Sequence, residues 1–238
     1  MKLYFKSLSD QLINQPQDGK TLVERYASNQ SDFCQAVVTA GYLSQQQMEH
    51  AALQYHLGKS TTGGVIFWEI DEEQRIRDGK VMTYLSNCHR NKEKPPTWVS
   101  FLLKKQNAIP HVFDAKQCLF GQHLLPKEES SIIAVVEAEK TAVICSELFP
   151  EYCWMATGGQ SMLNVAKIYP LREHRVVLFP DTDETGQTYT QWKDVTLAAQ
   201  DMFHYPIRVS RVLEEHATAD QKRRKIDIVD FLFDGYAS

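Results

Sequence analysis

Residues 132–137 read Ile-Ile-Ala-Val-Val-Glu, and residues 175–186 read Arg-Val-Val-Leu-Phe-Pro-Asp-Thr-Asp-Glu-Thr-Gly. Each is a continuous apolar run that stops at carboxylates. Apolar positions that do not alternate with polar ones fit strands covered on both faces. The residues between and after these runs keep the same rhythm. Residues 140–148 read as a helix, and Tyr-Cys-Trp-Met-Ala-Thr at 152–157 as a strand that stops at Gly158-Gly159. A helix follows over 161–169 and another over 188–203, then a strand over 206–213 and a closing helix in Asp-Ile-Val-Asp-Phe-Leu-Phe at 227–233. Four strands alternating with helices predict a parallel sheet with right-handed crossovers. Loops that follow the strands of such a sheet share one edge, where ligands bind. Glu137, Asp181 and Asp183 are therefore expected to converge there.

The chemistry of these residues has two readings. Asp181 and Asp183 stand at i and i+2, on one side of an extended chain. Such a pair suits a hard divalent cation such as Mg²⁺, which takes one or two carboxylates and leaves positions for phosphate oxygens. Alternatively, Asp183 or Thr185 caps the next helix, and Glu137 and Glu139 are first-turn acids favoured by a helix dipole. Gly158-Gly159 permits close approach of a phosphate, or simply makes a strand-to-helix turn. Asp227 reads as a helix cap with Asp230 at its third position. The basic run at 222–225 is either a solvated face or a phosphate contact.

Upstream, Gly63-Gly64 breaks the chain. Val-Ile-Phe-Trp-Glu-Ile at 65–70 and Lys-Val-Met-Thr-Tyr-Leu at 80–85 flank Asp-Glu-Glu-Gln-Arg-Ile-Arg-Asp-Gly, the pattern of a β-hairpin. Residues before 60 are polar and helical in pattern: Phe33, Ala36, Val37 and Ala40 share one helix face, with Ser31 and Asp32 as caps. Between residues 88 and 116 stand Arg90, Lys92, Lys94, Lys104, Lys105 and Lys116 against only Glu93 and Asp114. This local excess of positive charge contrasts with a net charge of −4 over the 238 residues. Any nucleic-acid contact must come from such patches rather than from global basicity.

Apolar residues make up 43% and charged residues 24%, which excludes fibrous and wholly disordered classes. No apolar run approaches the ~20 residues of a membrane span, and the start has no apolar signal core. The five cysteines (Cys34, Cys88, Cys118, Cys145 and Cys153) form no CxxC pair, so reduced thiols and a cytoplasmic location are expected. Asp-x-Asp-x-Thr after an apolar strand also describes haloacid-dehalogenase-type phosphatases, but the motif lies too late in this chain, behind Pro180, to open that fold.

The order of VVEAEKTAVI, WMATGG, VVLFPDTDETG and KIDIVDFL resembles the TOPRIM domain of bacterial primases, topoisomerases and related nucleases. The matching positions are Glu137, Asp181 and Asp183, with Ala138 where the family has glycine and Asp227 and Asp230 at the acid-rich end. GVIFWEIDEEQRIRDGKVMTY resembles the hairpin of the subdomain that precedes TOPRIM in replicative primases, and FDAKQCLFGQHLL the joining stretch. Residues 63–233 together resemble a primase core, most like the primase-like TOPRIM proteins of Bacteroidetes and their mobile elements. The resemblance implies an α/β fold: a TOPRIM-type parallel sheet flanked by helices, preceded by a smaller α+β subdomain. It implies a helical region at 1–62, the α+β subdomain at 63–128 and TOPRIM at 129–238. It further implies a Mg²⁺- or Mn²⁺-dependent nucleotidyltransferase in which Asp181 and Asp183 hold metal and Glu137 is a general acid/base or further ligand. Arg77, Lys80, Lys116, Lys140, Gly158 and Gly159 become expected nucleic-acid or nucleotide contacts. Single-stranded DNA and nucleotide triphosphates become expected partners, with any zinc ribbon or helicase supplied by a separate protein. A TOPRIM nuclease, or a nucleic-acid-binding protein of a mobile element without turnover, remain the alternatives.

Overall fold

A computed structural model describes residues 19–109 and 116–234. The chain folds as two compact units that divide between Cys118 and Leu119.

The first unit opens with three helices, α1 (Gly19–Tyr26), α2 (Asp32–Thr39) and α3 (Gln45–Gln54). The Ser31 hydroxyl caps α2 by accepting from Cys34 N, and Ser44 with Gln47 forms a capping box on α3. Each cap satisfies amides that the first turn leaves unpaired. An antiparallel sheet follows, in the order β1 (Gly58–Lys59), β2 (Val65–Ile70), β3 (Ile76–Met82) and β4 (Thr97–Trp98), and α4 (Val99–Lys105) continues from it. All six residues of β2 are buried. Ile66, Trp68 and Ile70 join Leu22, Val23, Val99 and Ile109 in one apolar cluster. Phe33 meets Phe67 and Tyr84, with ring centroids 5.3 and 4.9 Å away. Gly79 is required opposite Trp68: a Cβ there would fall 2.8 Å from the indole.

The hairpin differs in one respect from its expected form. Its second strand begins at Ile76, not Lys80, so Arg77 and Asp78 are strand residues. The turn contracts to residues 71–75, where Asp71 Oδ1 accepts from Glu73 N and Arg75 N at 3.0 and 2.9 Å. The polar residues that looked like turn are buried charges inside the sheet.

The second unit has the expected α/β design. Its strands β5 (Ile132–Val136), β6 (Tyr152–Ala156), β7 (Arg175–Phe179) and β8 (Ile207–Val209) form a four-stranded parallel sheet in the order β6-β5-β7-β8. Helices α5 (Glu139–Leu148), α6 (Val165–Ile168), α7 (Gln187–Gln200), α8 (Val212–His216), α9 (Ala219–Arg224) and α10 (Ile228–Phe233) flank or extend it. Ile133, Val135, Met155, Val176 and Leu178 pack with Ile168, Leu171, Trp192 and Ala199 in the core. The single helix expected over 161–169 is instead a 3-10 turn (Gln160–Met162), the short α6 and a second 3-10 turn (Tyr169–Leu171). Asn164 restarts the chain as the cap of α6, accepting from Lys167 N at 2.9 Å. The last strand is also shorter than expected, because Val212 already starts α8.

The strand order positions the site. From β5 the chain moves outward to β6, then crosses back to β7 and continues to β8 on the other side. The connections leaving β5 and β7 thus diverge, and a crevice opens between their C-terminal ends. Val136 pairs with Phe179 at that edge, so Glu137 and residues 180–183 follow adjacent strands out of the sheet.

Candidate functional site

Glu137 is half-buried at the end of β5. Its carbonyl accepts from Gly158 N at 3.0 Å, which ties the ends of β5 and β6 together. Gly158 and Gly159 hold φ of +87° and +154°, a region that favours glycine. A Cβ on Gly158 would come within 3.4 Å of Glu139 Oε1. The loop is held further by Thr157, whose hydroxyl donates to Gly159 O at 3.0 Å, and by the buried Lys167, whose Nζ donates to Thr157 O at 2.7 Å.

Asp181 and Asp183 leave β7 into contrasting settings. Asp183 is buried, and its carboxylate closes the start of α7. Oδ1 accepts from Thr185 N at 2.8 Å, Thr185 Oγ1 at 2.6 Å and Gln187 N at 3.2 Å, while Oδ2 accepts from Thr188 N at 2.8 Å. Burial alone would raise this carboxyl. The donors from Thr185 and Thr188 outweigh it and hold the group well below the usual carboxylate range. Asp183 also lines a polar pocket of about 390 Å³ with Gln160, Ser161, Gln187, Gln191 and Lys225.

Asp181 is half-buried and lies in a negative field. Burial, then the charges of Glu137, Asp227 and Asp230, push its carboxyl well above the ordinary range, against a smaller opposing effect of Lys140. Asp227 and Asp230 reach this place because α10 packs on α5. Thr182 N also donates to Ile226 O at 3.1 Å, which pins the β7 loop beside Asp227. Asp227 caps α10, accepting from Asp230 N at 2.8 Å, and takes the Thr141 hydroxyl at 2.6 Å. Lys140 Nζ lies 3.3 Å from Asp227 Oδ2 and 3.4 Å from Asp230 Oδ1. Burial would raise Asp227, but Lys140 and Thr141 hold it below its ordinary value. Burial and the Asp227 charge raise Asp230. Among the described residues, no group of three or more His, Cys, Asp and Glu side chains is already drawn together around a metal position.

The structure therefore brings Glu137, Asp181, Asp227 and Asp230 into one electrostatic cluster and gives Asp183 a capping role beside it. Lys140, expected as a phosphate contact, is buried and ion-paired with Asp227 and Asp230. Arg77, Lys80 and Lys116 belong to the other unit. Arg77 is buried and ion-paired with Asp71, Lys80 is half-buried on β3 opposite Trp98, and Lys116 is exposed. The basic run at 222–225 is largely compensated. Lys222 pairs with Glu214 at 3.2 Å, Arg223 with Asp220 at 3.0 Å, and Arg224 with Asp220 and Asp234. Thr141, Lys167 and Thr188 were not singled out from sequence. Their roles depend on contacts between distant segments, for which single residues carry no local signal.

A family model described as a domain of unknown function (DUF6371) matches residues 31–182. The chain belongs to that family. No curated protein is a significant match. Among solved structures, the E. coli primase catalytic core is similar at a TM-score of 0.53 and 14% identity, covering 91% of this chain and 82% of that one. A DnaG primase catalytic domain bound to single-stranded DNA is similar at 0.53 and 14%, covering 92% of this chain and 83% of that one. The DUF6371 chain thus has a mixed α/β fold with a four-stranded parallel sheet, similar to primase catalytic cores. Among the described residues no helix is long and apolar enough to cross a membrane.

Proposed function

We propose that the protein acts on nucleic acid by metal-dependent phosphoryl or nucleotidyl transfer, with residues 129–238 as a TOPRIM domain. The observation that carries this reading is the crowding of Glu137, Asp181, Asp227 and Asp230 at the switch point of the sheet. Burial first, and then the neighbouring acids, push the Asp181 carboxyl up, and carboxyls raised in this way are common at functional centres. The fold shared with primase catalytic cores supports the same reading.

The residues fit a divalent cation. Asp181 offers a carboxylate that cationic charge would relieve, and Glu137 leaves the adjacent strand beside it. Bound Mg²⁺ or Mn²⁺ would neutralise phosphate charge and align an in-line attack. Substrate phosphates and water complete the shell of such an ion when few carboxylates are offered. Asp183 fixes the start of α7, so its hydrogen bonds set the loop that carries Asp181. Glu137, at the end of β5, would be the general acid or base for the attacking or leaving oxygen. The expected partners are nucleotide triphosphates and single-stranded DNA. In the first unit, Phe101 is 60% exposed on the same helix as Lys104 and Lys105. An exposed aromatic beside cations suits a strand whose bases stack while its phosphates meet lysines.

The test is incubation of the full chain with labelled nucleotide triphosphates and single-stranded DNA, with Mn²⁺ or Mg²⁺. Extension that EDTA abolishes is expected. Shortening of the DNA would assign hydrolysis instead, and no change in either would defeat the catalytic reading.

A further inference from the structure

Lys167 stands in α6 and is 7% exposed. Burying an ammonium costs heavily unless a charge answers it. Among the described residues no carboxylate does so: the one contact of Nζ is Thr157 O, at 2.7 Å. Other buried cations of the chain are treated differently. Arg77 pairs with Asp71, and Lys140 Nζ lies 3.3 Å from Asp227 and 3.4 Å from Asp230. Lys167 directs its charge at a backbone carbonyl instead. That carbonyl belongs to a peptide unit with a second task. The Thr157–Gly158 unit is planar, so fixing its oxygen also fixes its N–H. Gly158 N donates to Glu137 O at 3.0 Å, and Thr157 N donates to Val136 O at 3.0 Å. Thr157 Oγ1 lies 3.3 Å from Glu137 O as well. The carbonyls of Val136 and Glu137, at the end of β5, are thus gripped by residues at the end of β6. A hydrogen bond from a charged donor is about twice as strong as a neutral one, and bonds in a chain polarise one another. The ammonium on the Thr157 oxygen therefore tightens the grip of Gly158 N on Glu137.

We infer that Lys167 is a positioning residue for Glu137, acting through the Thr157–Gly158 peptide to fix the backbone from which the Glu137 side chain leaves. This rests on the function proposed above, in which Glu137 is the general acid or base, and names a residue on which that role depends. A backbone gripped at its carbonyl sets the direction of the Cα–Cβ bond, and proton transfer needs the acid or base in a narrow range of positions. A buried ammonium without a counter-charge weighs against folding, the sign expected where a fold trades stability for function.

The experiment compares the full chain with Lys167→Met, which keeps an apolar stem and removes the charge. Two quantities are read: amide hydrogen exchange at Gly158 without metal or nucleotide, and steady-state nucleotide incorporation with Mn²⁺. Exchange at Gly158 is expected to speed up about tenfold, as for the loss of one hydrogen bond's worth of protection. The kcat is expected to fall at least about tenfold with the nucleotide KM unchanged, the split that marks a loss in the chemical step rather than in binding. Lys167→Arg, which keeps both charge and donor, is expected to stay near the wild type in both. Where Lys167→Met does not fold, Lys167→Gln, neutral but still a donor, is measured in its place with the same expectations of direction. Unchanged exchange at Gly158 overturns the inference, whatever the activity. Faster exchange with an unchanged kcat overturns it too, because the grip would then have no bearing on Glu137's role. A wild type that incorporates nothing defeats the catalytic reading itself, a failure visible without any Lys167 variant.

Discussion

Asp71 in the first unit and Asp181 in the second are both carboxylates drawn out of water, and their surroundings treat them in opposite ways. Asp71 is 2% exposed. Its Oδ2 accepts from Arg75 Nε at 2.8 Å and Arg77 Nε at 2.7 Å, and Oδ1 closes the hairpin turn. Burial would raise this carboxyl, but the bonds and charges of Arg75 and Arg77 hold it below its ordinary value. Burial, and then the charges of three acids, push Asp181 the other way. A buried carboxylate held by two arginines locks a turn. A charge left unmatched costs stability in the free protein and gives a cation something to bind. The contrast separates structural from functional acids better than position after a strand does. It also sorts Asp183, which is matched, from Asp181, which is not.

The largest effect is expected from breaking the matched case. Arg77→Met leaves Asp71 with the more exposed Arg75 alone. Removing one partner of a buried ion pair costs about 3 kcal/mol or more. Thermal or urea unfolding followed by circular dichroism is expected to show a loss of that order. The Asp71 contribution has a definite pH sense. Its folded carboxyl binds protons less readily than the unfolded one, so its stabilisation is full above the unfolded value and fades as pH falls through the folded one. The difference between wild type and Arg77→Met therefore narrows in acid. A variant as stable as the wild type at neutral pH would remove the distinction.

Asp183→Ala comes next. It removes four accepted hydrogen bonds at the start of α7, and loss of a helix cap costs about 1–2 kcal/mol. Hydrogen exchange is expected to speed up in the first turn of α7. Unchanged exchange there would mean that the cap does not hold the loop.

The smallest stability effect is expected to have the opposite sign. The raised Asp181 carboxyl favours the folded state at low pH, and that contribution is lost as pH rises through its folded value. At neutral pH the ionised group therefore weighs against folding, and Asp181→Asn relieves it. In EDTA near neutral pH the variant is expected to melt higher by a few degrees, which for a chain of this size is on the order of 1 kcal/mol. The gain should vanish as pH falls toward the unfolded value. Lower melting at neutral pH would show that Asp181 is a matched, structural acid after all.

These distinctions explain what sequence could and could not supply. Continuous apolar runs made β5 and β7 legible, and with them the edge where Glu137 and Asp181 emerge. Turn chemistry was harder to read. Ile-Arg-Asp-Gly looked like loop because Arg77 and Asp78 are polar, yet both have partners inside the sheet: Arg77 pairs with Asp71, and Ser100 Oγ donates to Asp78 at 2.5 Å. The helix expected over 161–169 is shorter because Asn164 caps a new start and the chain passes into a 3-10 turn containing Pro170. Lys140 in isolation has the same sequence signature as a surface lysine. Only the packing of α10 on α5, a contact across some ninety positions, turns it into the partner of Asp227 and Asp230.

The most direct measurement of the central claim is nucleotide incorporation by Asp181→Asn beside its melting temperature, at one pH and with saturating Mn²⁺ and nucleotide triphosphate. The account predicts metal-dependent incorporation by the wild type and a loss on the order of a hundredfold in the variant, in a protein that melts no lower in EDTA. Equal incorporation by the two proteins would contradict it, because the crowded carboxylate would then have no part in the chemistry.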